Sequence, residues 1–364
     1  MQLRMNWRNM LLVVIVWYAL GILSISTTKI LLGFSSPLAL TFQQFVCGAS
    51  ILRLVLLCTT RLGLSTFTLQ ELPSRWPTHL RRTAVCFALG FLATNYGFSG
   101  TAVSMVETVK AAEPITSAIV AVSFGIDTLT CVELLSLGTI VAGVLHSTLQ
   151  QKAGQAQRDA GEDGGNGSST HYNDSAVLLS CGIVLCANLC FSFRGLNQKL
   201  YRQQKSPEPL DDINLQFRAQ SMGATIFLFP FLISQVVPTS FSSPVQRMMD
   251  VDDIARYIGI SAVNACAFTF YNLASTYVLT QLSVVHHATL NCLRRVVAIV
   301  VTSLLFGIPL RGLPGILLAV IGFLSYTRSK RRRKAQVKAD NSTERIEPEQ
   351  SVTTQLSKNM MVVA

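Results

Sequence analysis

Residues 286–306 read HHATLNCLRRVVAIVVTSLLF, with two adjacent arginines, Arg294 and Arg295, between a weakly polar stretch and an apolar one. If the membrane-buried part starts after the pair, both side chains snorkel to the interface. The remaining run, Val296 to Leu310, is then about 15 residues or about 23 Å of helix. That is short of the roughly 30 Å hydrocarbon layer, although a bilayer thins around a short helix. If the span starts at Val284, its length is normal and both arginines fall near its middle. The added residues are small or weakly polar, which suits a helix facing a cavity rather than lipid. Length therefore favours a buried cationic site over a wet helix edge.

The rest of the chain supplies the membrane. Of its 364 residues 50% are hydrophobic and 13% charged, and the mean hydropathy is +0.42. A soluble domain carries about twice that charged fraction. Ten candidate spans follow, at 10–32, 37–59, 83–103, 107–125, 131–149, 175–193, 213–236, 257–279, 284–306 and 312–327. The fold class expected is all-α: a polytopic membrane protein of ten transmembrane helices. Pro37 opens the second span, where a missing N–H costs nothing, and Pro230 predicts a kink or break in the seventh.

Residues 151–174 are rich in Gly, Ser and acid and read as a polar disordered linker. They separate two five-helix halves, 1–150 and 175–328, and residues 329–364 form a basic-polar tail, disordered beyond its first turn. Lys and Arg outnumber Asp and Glu by 30 to 19, an excess that reports topology first. Arg4, Arg8, Arg61, Arg75, Arg81, Arg82, Arg194, Lys199, Arg202, Lys205 and the KRRRK run after span ten mark one side. Ten spans then put both termini in the cytoplasm, and the sequons at Asn166 and Asn173 on the opposite side. No soluble basic domain exists to bind nucleic acid. The 9 cysteines form no Cys-x-x-Cys pair and sit in apolar runs, as packing residues rather than disulfides or a zinc site. No metal, cofactor or catalytic residue is expected, and no cleavable leader is evident, which favours the Golgi or endoplasmic reticulum over a plastid envelope.

Few charges lie inside spans. Lys29 is late in the first, Lys110 and Glu113 are in the fourth, and Arg294 and Arg295 are in the ninth. Intramembrane charges face protein interior or water. Lys110 lies three residues from both Glu107 and Glu113, so a neutralised structural pair competes with a binding role. Each half carries Asn, then Ser, then a cationic helix: Asn95, Ser104, Lys110 and Asn272, Ser283, Arg294. An odd number of spans per half makes a duplication inverted, as in transporters with a midplane site. Three cations facing one cavity without enough carboxylate nearby call for a multiply charged oxyanion, a phosphate ester above all.

Residues 94–125, TNYGFSGTAVSMVETVKAAEPITSAIVAVSFG, and 270–307, FYNLASTYVLTQLSVVHHATLNCLRRVVAIVVTSLLFG, resemble signature hairpins of a known family. It is that of the triose-phosphate/phosphate translocators and their nucleotide-sugar transporter relatives, in the drug/metabolite transporter superfamily. Residues 191–204, FSFRGLNQKLYRQQ, are similar to its Arg-x-x-x-Ser-Lys-Lys segment, and the likeness runs over roughly residues 10–327. The resemblance implies two inverted five-helix repeats and an antiporter whose central cationic site holds phosphate. By motif, Lys110 matches the first-half phosphate lysine, Thr94 a site hydroxyl and Tyr271 the tyrosine of Tyr-Asn, while Arg294 and Arg295 occupy the Lys-Arg pair. Arg294 replaces a lysine, and Phe91 stands where plastid-type carriers have a substrate-contacting histidine. That argues against triose phosphate and leaves another phosphorylated or nucleotide-linked metabolite. Without the resemblance, Tyr271 also reads as packing and Thr94 as bonded to its own helix.

The function expected is antiport of a sugar phosphate or nucleotide sugar against phosphate or a related anion, its partners being that small anion and the lipid bilayer. Two alternatives stand beside it. A membrane enzyme on phosphorylated lipid would need an acid cluster that Glu107, Glu113, Asp127 and Glu133 do not form. A non-transporting interaction protein would have only the polar tail as its handle.

Overall fold

The computed structural model describes residues 7–63, 68–71, 76–100, 103–126, 128–162, 174–204, 209–236, 251–305, 313–333 and 335–336, and these contain helices and no strand. In chain order the helices are α1 (Trp7–Leu31), α2 (Pro37–Arg61), α3 (Thr78–Gly100), α4 (Val103–Lys110), α5 (Glu113–Ser123), α6 (Cys131–Glu162), α7 (Asp174–Gln203), α8 (Asp212–Val236), α9 (Val251–Gln281) and α10 (Val284–Leu305). A further helix covers 313–333. Each candidate span has its helix, and the fourth has two, α4 and α5.

Helix ends follow local chemistry. Ser36 caps α2 by accepting from the Ala39 N–H at 3.2 Å, and Pro37 fills the first turn. Thr130 and Glu133 bond each other's backbone N–H groups at the start of α6, a reciprocal cap. After α5, Gly125 turns at φ 66° and the Ile126 N–H reaches back to the Ala121 carbonyl at 2.9 Å. A left-handed residue of this kind closes a helix C-terminus.

Among the described residues, Met10–Leu31, Pro37–Arg61, Leu178–Gln203 and Asp212–Val236 are long and apolar enough to cross a membrane. The 25 residues of α2 make about 37 Å of helix, more than the roughly 30 Å required. Helix α9 is longer still but buries Asn264, Thr269, Asn272, Ser275 and Thr276. Its polarity is turned inward, where a partner is available, rather than toward lipid.

Helices from opposite halves pair: α1 packs on α9, α2 on α8 and α3 on α7. Phenylalanines 45, 87, 227 and 268 fill the space between α2, α3, α8 and α9. On another flank, a Cβ on Gly143 of α6 would lie 2.5 Å from the Ala319 nitrogen and 2.6 Å from the Gly315 carbonyl oxygen. The α6 and 313–333 backbones therefore touch, as small residues permit. A buried amide cluster ties α1, α2, α3 and α9. The Asn95 amide donates to Thr41 at 2.8 Å and Gln44 at 3.1 Å, Gln44 to Thr28 and Asn264, and Asn264 to Thr27 at 2.8 Å.

Four expectations are revised. Helix α8 runs through Pro230 without a break, because the ring falls near the end, one and a half turns before Val236. The predicted linker is helical as far as Glu162, since its Ala, Gln, Lys and Arg are strong helix formers; residues 163–173 lie outside the described residues. Helix α7 passes its predicted end and carries Arg194, expected in a loop, into the interior at 8% exposure. The fourth span is interrupted at Ala111 and Ala112, where Pro114 in the first turn of α5 denies the preceding turn one N–H donor.

Candidate functional site

The interruption between α4 and α5 opens onto a central cavity of about 840 Å³ of empty space, its mouth included. Its wall combines α1, α2, α3, α4, α5, α7, α9 and α10, and four sequence candidates line it: Lys110, Arg294, Tyr271 and Thr94. Small-molecule sites are likewise concave and mostly apolar, with a few convergent polar groups.

Lys110 is the last residue of α4, so its ammonium leaves the helix just where the chain breaks. Its Nζ sits 5.9 Å from the Phe98 ring centre and 5.3 Å from that of Phe191. It makes no ion pair with a described carboxylate. The competing idea of a Lys110–glutamate structural pair is thus not what the side chains form.

Arg294 is 4% exposed, with its guanidinium 5.0 Å from the Tyr271 ring centre. Its Nε and Nη1 have no hydrogen-bond partner. An unpartnered buried guanidinium is costly, so an acceptor entering the cavity would be favoured there. Gly21 of α1 makes the space: a Cβ there would collide with Arg294 Nη1.

Arg295 is placed differently. Its Nη1 pairs with Glu107 of α4, its Nη2 lies 3.9 Å from Glu113, and it is not in the cavity wall. The expectation that nearby carboxylate is too scarce for all three cations is corrected at this one, because both glutamates of the broken span turn toward α10. Glu113 also accepts from the Asn291 amide at 2.6 Å and itself lines the cavity. Thr94 donates to its own helix at the Gly90 carbonyl, 2.8 Å away, leaving its oxygen lone pairs as acceptors. Tyr271 stacks on Trp17, with ring centres 6.4 Å apart.

Three wall residues escaped the sequence reading. Arg194 donates to the Thr276 hydroxyl at 3.1 Å and covers the Phe87 ring at 4.2 Å. Its segment, 191–204, carried the signal, but its charge was assigned to topology. His287 shares a 2.9 Å hydrogen bond with Ser275 and stacks on Trp17 at 5.0 Å. Asn291 presents the third polar group. Phe91 also faces the cavity, edge-on to Phe268 at 4.8 Å and Phe191 at 5.1 Å. Among the described residues the wall holds three cations, Lys110, Arg194 and Arg294, against one carboxylate, Glu113. Such a wall has the chemistry to suit an anion with several acceptor oxygens.

The family model described as Triose-phosphate Transporter family matches residues 8–152 and 175–327. The chain is 27% identical over 323 residues to phosphoenolpyruvate/phosphate translocator 1, chloroplastic, of Oryza sativa subsp. japonica, covering 86% of this chain and 70% of that one. It is 23% identical over 318 residues to glucose-6-phosphate/phosphate translocator 2, chloroplastic, of Arabidopsis thaliana, covering 86% and 73%. The figures for the non-green plastid triose phosphate/phosphate translocator of Brassica oleracea var. botrytis are 24% over 319 residues, covering 86% and 71%. A solved crystal structure matches with a TM-score of 0.53 at 13% identity, over 88% of this chain and 95% of that one. At that identity the likeness concerns the fold.

Proposed function

Because the chain belongs to the Triose-phosphate Transporter family, we propose that it is a secondary antiporter exchanging a small phosphorylated metabolite for phosphate by alternating access. Members of this family are transporters, so the enzyme alternative falls away. The observation that carries the proposal is the buried guanidinium of Arg294, with two nitrogens unpartnered, facing the same cavity as Lys110. A phosphoryl group supplies the missing acceptors, Arg294 as a planar fork and Lys110 as a point charge. Empty, the site leaves its cations unneutralised and the occluded state unfavourable, which makes movement depend on exchange.

The relatives reported above are named for phosphoenolpyruvate, glucose 6-phosphate and triose phosphate. None of these three names is a nucleotide sugar, so that part of the expectation is dropped. All three are named as chloroplastic or plastid proteins, which weighs against the Golgi or endoplasmic reticulum. Arg194, a third cation in the wall, favours a substrate with a second anionic group beside its phosphate.

Two inverted halves, 1–150 and 175–328, with both termini on the positively charged side, belong to the same proposal. Helix pairing supports it: exchanging span one for six, two for seven and three for eight turns the α1–α9 contact into the α7–α3 contact. The same exchange leaves α2–α8 unchanged. Counterflow in proteoliposomes is the test. Labelled phosphate should enter only against internal phosphate or phosphorylated metabolite, and Arg294→Gln or Lys110→Gln should abolish entry. Equal uptake into empty vesicles, or unchanged exchange in both variants, would overturn the proposal.

A further inference from the structure

A second cavity, about 860 Å³ of empty space with its mouth included, opens on the side of the bundle between α3, the end of α5, α7 and α8. It shares no wall residue with the central cavity. Its two ends differ in chemistry. Arg81 and Arg82, in the first turn and a half of α3, lie at one end. Both are exposed, and neither makes an ion pair with a described carboxylate.

The rest of the wall is mainly apolar. Val85 continues the arginine stripe one turn along α3. Phe193, Leu196 and Leu200 repeat at helical spacing on α7, and Met222 completes the wall from α8. Phe124, at the end of α5, closes it edge-on to Phe193 with ring centres 5.9 Å apart. Among the described residues, no Asp or Glu is in the wall.

A free small anion has no use for this apolar wall, and a bare hydrocarbon has none for two guanidinium groups. An amphiphile with an anionic head and a long apolar tail matches both. Arg81 and Arg82 stand near the start of α3, and basic side chains at the end of a bilayer-crossing helix meet lipid phosphate. A zwitterionic head would bring its own cation against the pair, so net negative charge is favoured. We propose that this groove binds one anionic phospholipid of the surrounding bilayer, its phosphate on Arg81 and Arg82 and an acyl chain along Val85, Phe193, Leu196 and Met222.

The test is thermal unfolding of the purified full chain in uncharged detergent, titrated with phosphatidylglycerol, phosphatidylcholine or inorganic phosphate. Phosphatidylglycerol should raise the midpoint saturably and more than phosphatidylcholine. In the Arg81→Gln/Arg82→Gln double variant the half-saturating concentration should rise about thirtyfold, while the lipid-free midpoint stays put. Met222→Trp, which keeps both arginines but fills the apolar part of the groove, should blunt the same response. A phosphatidylglycerol response unchanged in both variants, or equal to that of phosphatidylcholine, would overturn the proposal. Inorganic phosphate reproducing the lipid response, and losing it in the arginine variant, would overturn it in favour of a small-anion site.

Discussion

Gly21 and Arg294 compete for one space: a Cβ on residue 21 would stand against the Arg294 guanidinium and 3.0 Å from the Tyr271 ring. Glycine on α1 is what admits arginine, rather than the shorter-headed lysine, on α10. Gly21→Ala should therefore lower phosphate counterflow by up to about a hundredfold, the effect that a site residue moving by about 1 Å can have. Arg294→Lys in the same chain should restore part of the loss, because lysine vacates the contested volume. Counterflow of both single variants and the double variant decides it, and absence of any rescue would separate the two residues.

Glu107 and Arg295 form an ion pair between α4 and α10, with side chains 21% and 3% exposed. Removing Glu107 leaves Arg295 with only the more distant Glu113, 3.9 Å away. Glu107→Gln should lower unfolding stability by roughly 3 kcal/mol, discounted toward the lower end of the buried-pair range because Glu107 keeps some exposure. Glu107→Gln with Arg295→Gln should cost less than the sum of the single changes. Thermal unfolding of the four proteins in the cycle is the measurement, and strict additivity would show that the pair is not coupled.

Asn264 accepts from Gln44 at 3.0 Å and donates to Thr27 and Thr28 of α1. Asn264→Leu would leave the buried Gln44 amide one acceptor short. A loss of about 1–3 kcal/mol in unfolding stability is expected. Gln44→Leu in the same chain removes the stranded amide, so the double variant should cost less than the sum of the two single changes, and strict additivity would contradict this account.

How far the sequence carries can be judged at particular residues. Hydropathy located every span, because the bilayer imposes a length that composition records directly. It also marked Lys110 and Arg294, since a charge within an apolar run has few reasons to be there. It did not separate Arg294 from Arg295, whose difference lies in which way adjacent side chains leave one helix: toward the cavity, or toward Glu107. Arg194 was hidden for the opposite reason. It stands where apolar residues thin out, so charge alone reads it as loop, and only the continuation of α7 brings it inside. The interruption at Ala111 and Ala112 carried one visible mark, Pro114, which by itself is equally at home in an ordinary first turn.

Gly143 faces the 313–333 backbone with no room for a side chain. Gly143→Val should destabilise the protein by about 1–3 kcal/mol through overpacking. Exchange per folded molecule should be unchanged, measured as counterflow normalised to monodisperse protein. A shift in substrate preference instead would tie this contact to the cavity.

Neither α6 nor the 313–333 helix contributes a described residue to the cavity wall, and their backbones meet at Gly143, Gly315 and Ala319. A machine that alternates between two shapes needs a stator, a part against which the rest turns. Contacts that stay the same in every conformer add equally to each, so they cancel from the energetics of the cycle. In the proposed cycle, a helix pair that moves as one unit would set how long the carrier lasts, not how fast it runs.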